Sequence, residues 1–245
     1  HGGGLRVREN YNPLGDILHS EPKHVGDYLY VGANDGMLHV FDASNGEEVF
    51  AYIPSFVYPN LEELANPDYT HRYFVDLSPF LGTIGEGNSE DVLLIGGLGK
   101  GGKGYFCLDV DIDAPDSFTA SDVKWEYPDA DTPQDEVDNM GYTFSEPAIV
   151  ETETEGRVLI FGNGYDSANA RAVLYMLEPA TGSALGPGMI DTGVGDSTSA
   201  NCNGLSTPVF VDTNNNGRAD MAYAGDMLGN VWKFDISGSV NDWEV

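Results

Sequence analysis

LYVGANDGMLHVFDASNG, Leu29 to Gly46, is an apolar run ending at Gly32, a polar turn of Asn34, Asp35 and Gly36, and a second apolar run closed by Asp42 and Gly46. Short apolar runs flanking an Asn/Asp-Gly turn define a tight antiparallel hairpin. The same grammar returns three times: in LLIGGLGKGGKGYFCLDV from Leu93 to Val110, from Val158 (VLIFGNGYDS) through LYMLEPATG to Gly182, and in MAYAGDMLGNVWKFDISG from Met221 to Gly238. Gly32, Gly96, Gly162 and Gly225 correspond, in steps of 64, 66 and 63 residues. Chance does not hold such spacing.

Ahead of each hairpin stands a related stretch: SEPKHV from Ser20, DLSPFL from Asp76, SEPAIV from Ser145 and STPVFV from Ser206. Each carries a proline suited to the start of an edge-like strand. EEVFAYIP and VKWEYP supply a further strand after the first two hairpins. Tandem units of about four short strands predict an all-β chain, a β-propeller of four-stranded blades. A solenoid rung would be far shorter, a sandwich would not repeat, and no amphipathic helix of useful length competes. The expected layout is a lead-in at 1–15 and repeats at about 16–75, 76–140, 141–200 and 201–245. Four blades can close a ring, but the sequence stops at NDWEV where a next strand would begin, so the expectation is a fragment of a larger propeller with the remaining blades missing. Surplus length falls in polar, acidic loops at Asn60–Tyr73, Ala114–Val123, Asp129–Met140 and Gly186–Asn203, and loops on a rigid scaffold are where binding concentrates.

The 245 residues, 41% hydrophobic, suffice for a buried core. Lys plus Arg total 11 against 40 Asp plus Glu, a formal net charge of −29. Such a surface repels nucleic acid and anionic membranes and favours cations or basic partners. No apolar run reaches the length of a membrane-spanning helix, so no membrane insertion is expected. Cys107 and Cys202 are compatible with one disulfide or with two free thiols.

The residues with the clearest chemistry are Asp212 to Asp220, DTNNNGRAD. Asp212, Asn214, Asn216, the carbonyl of Arg218 and Asp220 place oxygen donors at alternate positions, with Gly217 where the chain must turn sharply. Ca²⁺ takes six to eight oxygens, and a short loop presents them in this way. A plain Asn/Gly turn between strands at Pro208–Val211 and Met221–Ala224 would need far fewer residues. Catalytic and organic cofactor residues are not expected, because no G-x-S-x-G, HExxH or Walker loop occurs. GGLGKGGKG, Gly96 to Gly104, has the glycines and lysines of a phosphate cradle, but Tyr105, Phe106 and Cys107 continue as a strand and not a helix. His1, His19, His24, His39 and His71 are scattered. The Asp109, Asp111, Asp113 and Asp129, Asp131, Asp135 groups read as solvated acidic loops, and Trp125, Trp232 and Trp243 as packing between blades.

GDILHSEP, VGANDGMLHVFDASNGEE, the D-x-N-x-N-G-x-x-D loop and YAGDMLGNVWKFDIS together resemble the C-terminal propeller domain of the PilY family, calcium-binding type IV pilus biogenesis factors and tip-associated adhesins. The resemblance runs from about Asn10 to Ser237. It implies a modified seven-bladed propeller related to quinoprotein propellers, of which this chain supplies the first four blades. It also implies export to the cell surface, minor pilins and a surface or host ligand as partners, and roles in pilus extension against retraction, adhesion and twitching motility. The implied Ca²⁺ ligands are the same five residues. The third loop position, often Asp in the family, is Asn214, which removes one charge from the site. The Arg-Gly-Asp triplet sometimes noted in the family is absent; residues 217–220 read GRAD. Two other readings share the fold: a quinoprotein-like dehydrogenase and a carbohydrate- or matrix-binding propeller.

Overall fold

The computed structural model describes residues 5–6, 13–85, 91–110, 115–198 and 200–245. Its strands form four separate antiparallel sheets in chain order. The first holds β1 (Lys23–Val25), β2 (Tyr28–Gly32), β3 (Leu38–Asp42) and β4 (Glu48–Tyr52). The second holds β5 (Phe80–Ile84), β6 (Asp91–Gly97), β7 (Tyr105–Asp109) and β8 (Val123–Tyr127). The third holds β9 (Ala148–Glu151), β10 (Arg157–Gly162), β11 (Val173–Leu177) and β12 (Ala184–Asp191). The fourth has three strands, β13 (Val209–Val211), β14 (Met221–Gly225) and β15 (Val231–Asp235). On its outer edge Asp235 and Glu244 exchange both backbone hydrogen bonds, at 2.8 and 3.2 Å.

Each sheet is a simple meander, and the sheets stack face to face. Because side chains alternate between faces, a strand buried on both sides is apolar throughout, and its residues divide between two cores. In β10, Val158 and Ile160 face the fourth sheet while Leu159 and Phe161 face the second. In β6, Leu94 packs toward the first sheet, and Leu93 and Ile95 toward the third. Tyr30, Leu38 and Val40 fill the first interface from the other side. Trp125 closes the second, its indole N–H donating to the Pro179 carbonyl at 2.8 Å. Trp243 and Trp232 join the third.

The repeating glycine has a physical cause at two of its positions. A Cβ on Gly32 would stand 2.4 Å from the Val75 carbonyl oxygen, and one on Gly162 would stand 2.3 Å from that of Ser206. In each case the next blade's lead-in presses on the glycine. The amides of Gly32 and Gly162 donate to Ser20 Oγ and Ser145 Oγ, each at 2.9 Å, which explains the serine that opens both SEP stretches.

The expected Gly186–Asn203 loop is corrected, since β12 occupies Ala184–Asp191. Gly186, Pro187 and Gly188 hid this strand, and its pairing with β11 is irregular between Tyr175 and Leu177. Short helical turns at Ser55–Ala65, Ala120–Asp122 and Gln134–Asn139 occupy other long connections. Among the described residues no helix is long and apolar enough to cross a membrane. Cys107 is buried in β7, Cys202 is half-buried before β13, and neither is bonded to the other.

Candidate metal centre

The DTNNNGRAD segment joins β13 to β14, so it lies at the end of the sheets that also carries the β9–β10 turn. The strand ladder closes behind it, with the Asp220 amide donating to the Val211 carbonyl at 3.0 Å. Asp212 receives the amides of Asn216 on Oδ1 at 3.2 Å and of Gly217 on Oδ2 at 2.7 Å. Asn214 Oδ1 accepts from the Asn216 amide at 3.0 Å, and Asn216 Oδ1 from the Arg218 amide at 2.9 Å. The loop achieves this curl by placing Asn215 and Gly217 in left-handed backbone, at φ 60° and 85°; Asn and Gly tolerate that region best. Asp220 is buried at 4% exposure, and its carboxylate accepts from the Thr213 amide and, at 2.6 Å, from Thr213 Oγ1.

Some burial opposes ionisation of Asp212, but the Gly217, Asn216, Asn215 and Asn214 amides outweigh it and hold its carboxyl below the usual range. The loop therefore carries an anion at neutral pH. Each side-chain oxygen named is fixed by one N–H or O–H partner or more, and a carboxylate or amide oxygen has a further lone pair to offer. Among the described residues no three His, Cys, Asp or Glu side chains are grouped to hold a metal. The donor set is two carboxylates, two side-chain amides and a backbone carbonyl, which suits a hard cation such as Ca²⁺ and not a softer one.

Sequence reading missed Glu153. From the β9–β10 turn of the neighbouring blade, its Oε1 accepts from Asn214 Nδ2 at 2.8 Å and Asn216 Nδ2 at 3.0 Å. Around it, Ala219 donates to the Glu151 carbonyl at 2.8 Å, Val240 donates to Glu155 Oε1 at 3.0 Å, and Thr152 forms a parallel bridge with Ala219. The third blade thus supports the loop of the fourth. Of the other acidic groups, Asp109 pairs with Lys124 at 2.6 Å, Asp129 caps its own turn through Thr132, and Asp111 and Asp113 lie outside the described residues. Asp226, in YAGD, is structural: burial opposes its charge, but Asn203, Asn230 and Trp232 donate to it and lower its pKa to about 2.

Stacked antiparallel sheets with a nine-residue oxygen-rich loop at one end define a β-propeller segment with a candidate hard-cation site. A model of the PilY1 beta-propeller domain matches residues 10–244, and the chain belongs to that family. A type IV pilus biogenesis factor PilY1 homolog of Xylella fastidiosa is 41% identical over 216 residues, which cover 86% of this chain and 14% of the relative. PilY1 of Pseudomonas aeruginosa strain UCBPP-PA14 is 37% identical over 273 residues, covering 98% of this chain and 22% of the relative. The crystal structure of the P. aeruginosa PilY1 C-terminal domain superimposes with a TM-score of 0.65 at 35% identity, over 85% of this chain and 38% of that one. The chain thus spans less than a quarter of the length of the curated relatives it matches.

Proposed function

We propose that this chain is the calcium-binding propeller segment of a type IV pilus biogenesis protein, exported and pilus-associated at the cell surface. In this reading it works with minor pilins to set pilus extension against retraction, supports twitching motility and adhesion, and carries no catalytic role. The observation behind the calcium reading is the preset curl of DTNNNGRAD, where backbone amides hold Asp212, Asn214 and Asn216 at alternate positions. The pilus role rests on the family and on the role that its relatives' names state.

Asp212, Asn214, Asn216, the Arg218 carbonyl and Asp220 would hold the ion. A bound Ca²⁺ supplies two positive charges. Without that charge Asp212 and Asp220 repel across one turn, and the loop's conformational entropy opposes order. Asp220 also fastens Thr213, so it couples the start of the loop to its end. Glu153 carries the state of the loop into the third blade, which makes blade-to-blade geometry the quantity that occupancy would regulate.

The test is calorimetric titration of calcium into chelator-treated chain and into Asp220→Ala. One site in the parent and none in the variant supports the reading. No heat in either reduces the loop to a decorated turn, and equal affinity in both would remove Asp220 from the site.

A further inference from the structure

The opposite end of the sheets carries a cavity of about 570 Å³. The β4–β5 connection supplies Arg72 and Tyr73, the glycine-rich β6–β7 turn supplies Lys100, and Tyr142 and Tyr165 come from the approach to β9 and the β10–β11 turn. We propose that this cavity binds a sugar ring bearing a carboxylate, of the uronic-acid type, with Lys100 as the partner of the anion and Tyr142 and Tyr165 as the wall for the ring.

Charge points to an anion. In a chain with 11 Lys plus Arg and a net charge of −29, Arg72 and Lys100 line one cavity and Lys103 stands beside it. Of the acids nearby, Glu63 holds Arg72 at 2.6 Å, Asp16 holds His71 at 2.8 Å and Asp76 holds His19 at 2.6 Å, while the Asp166 carboxylate acts on Tyr165. Lys100 makes no ion pair among the described residues; its ammonium lies 4.2 Å from the centre of the Tyr73 ring. Lys103 donates to the Asp166 carbonyl and sits 5.5 Å from the Tyr142 ring centre.

The walls are rigid. Tyr142 and Tyr165 are joined by a backbone bridge, the Tyr142 amide donating to the Tyr165 carbonyl at 2.7 Å, with their rings 5.5 Å apart. Phe144 stacks on Tyr165 at 5.1 Å. Under Lys100 the turn is pressed so closely that a Cβ on Gly101 would stand 1.9 Å from the Phe74 carbonyl oxygen. A site whose parts are already held loses little entropy on binding, and its volume lies in the range of small-molecule sites.

The backbone amides separate a charged ring from a bare anion. A phosphate cradle needs a run of free backbone amides, and three within the glycine-rich turn are used within the fold. The Leu98 and Gly99 amides reach Thr143 Oγ1 at 3.1 Å, and the Gly101 amide reaches the Leu98 carbonyl at 2.7 Å. What the cavity offers is one lysine and aromatic faces, which recognise a carboxylate attached to an apolar ring face.

Tri-galacturonic acid titrated into the chain, with its methyl ester, tri-glutamate and inorganic phosphate in parallel, tests the proposal. Saturable binding of the acid is expected, weakened about tenfold or more in the ester and in Lys100→Gln, the loss typical of a charged hydrogen bond. Tyr142→Ala should weaken acid and ester alike. No binding at millimolar trisaccharide, equal affinity for the ester, unaltered binding by Lys100→Gln, or displacement by tri-glutamate or phosphate at the same concentration would each overturn it. The result should be the same in calcium and in chelator, so it is independent of the loop at the other end.

Discussion

Asn214 sits in two relationships at once, donating to Glu153 and presenting its oxygen to the loop. Asn214→Asp should therefore act in opposite directions. A third carboxylate should lower the calcium Kd by about tenfold, while the new negative charge set against Glu153 should lower the unfolding midpoint in chelator; titration and thermal scans with and without calcium read both. His39 is a second case. Its ring is 4% exposed, with Nδ1 at 2.5 Å from Glu48 and Nε2 at 3.1 Å from Asp35. Burial favours the neutral ring, but the two carboxylates outweigh it and raise the pKa above the ordinary 6.5. The raised value means that the charged ring stabilises the fold fully below about pH 6.5 and that this contribution fades as pH climbs through the folded pKa. Thermal midpoints measured from about pH 5.5 to about pH 8.5 should show an alkaline loss that is smaller in His39→Gln, the interval being set to about a unit or two around the histidine value. At this scale the curled, oxygen-rich loop was legible because its residues are local in the chain. Glu153 was not, because its contact with Asn214 spans 61 residues and exists only once two sheets have stacked.

Among elements, the hairpins were legible because each is an apolar strand pair around a polar turn, and the same pattern set the steps between glycines. β12 escaped because Gly186, Pro187 and Gly188 read as loop, although Val173, Leu174 and Tyr175 of β11 hold its far end in register. The stacking contacts that make glycine necessary were also invisible, and they yield a sharp comparison. Gly162→Ala drives a methyl into the Ser206 carbonyl and should cost about 2 kcal/mol or more, as overpacking against backbone does. Gly46→Ala meets nothing within 4 Å, and its only penalty is a positive φ of 77°, about 1 kcal/mol. Chemical denaturation of the two variants should separate them in that order.

For the whole molecule the dominant quantity is the excess of 29 negative charges, which repel one another in the compact state. Raising sodium chloride from about 0.01 to 0.15 M shortens the screening length from about 30 to 8 Å and should raise the thermal midpoint. Asp220→Ala should show the same salt response, which distinguishes general screening from any gain specific to calcium at constant ionic strength. The contacts between the third and fourth blades bear on something else, the response to force. These blades are tied at both ends, by the Gly164 amide on the Leu205 carbonyl at 3.0 Å and by the Glu151–Glu155 turn on Ala219 and Val240. A clasp at each end resists peeling, in which bonds fail one after another, and makes them share the load. Stretched from its termini, the chain should release these two blades in one rupture of doubled contour length.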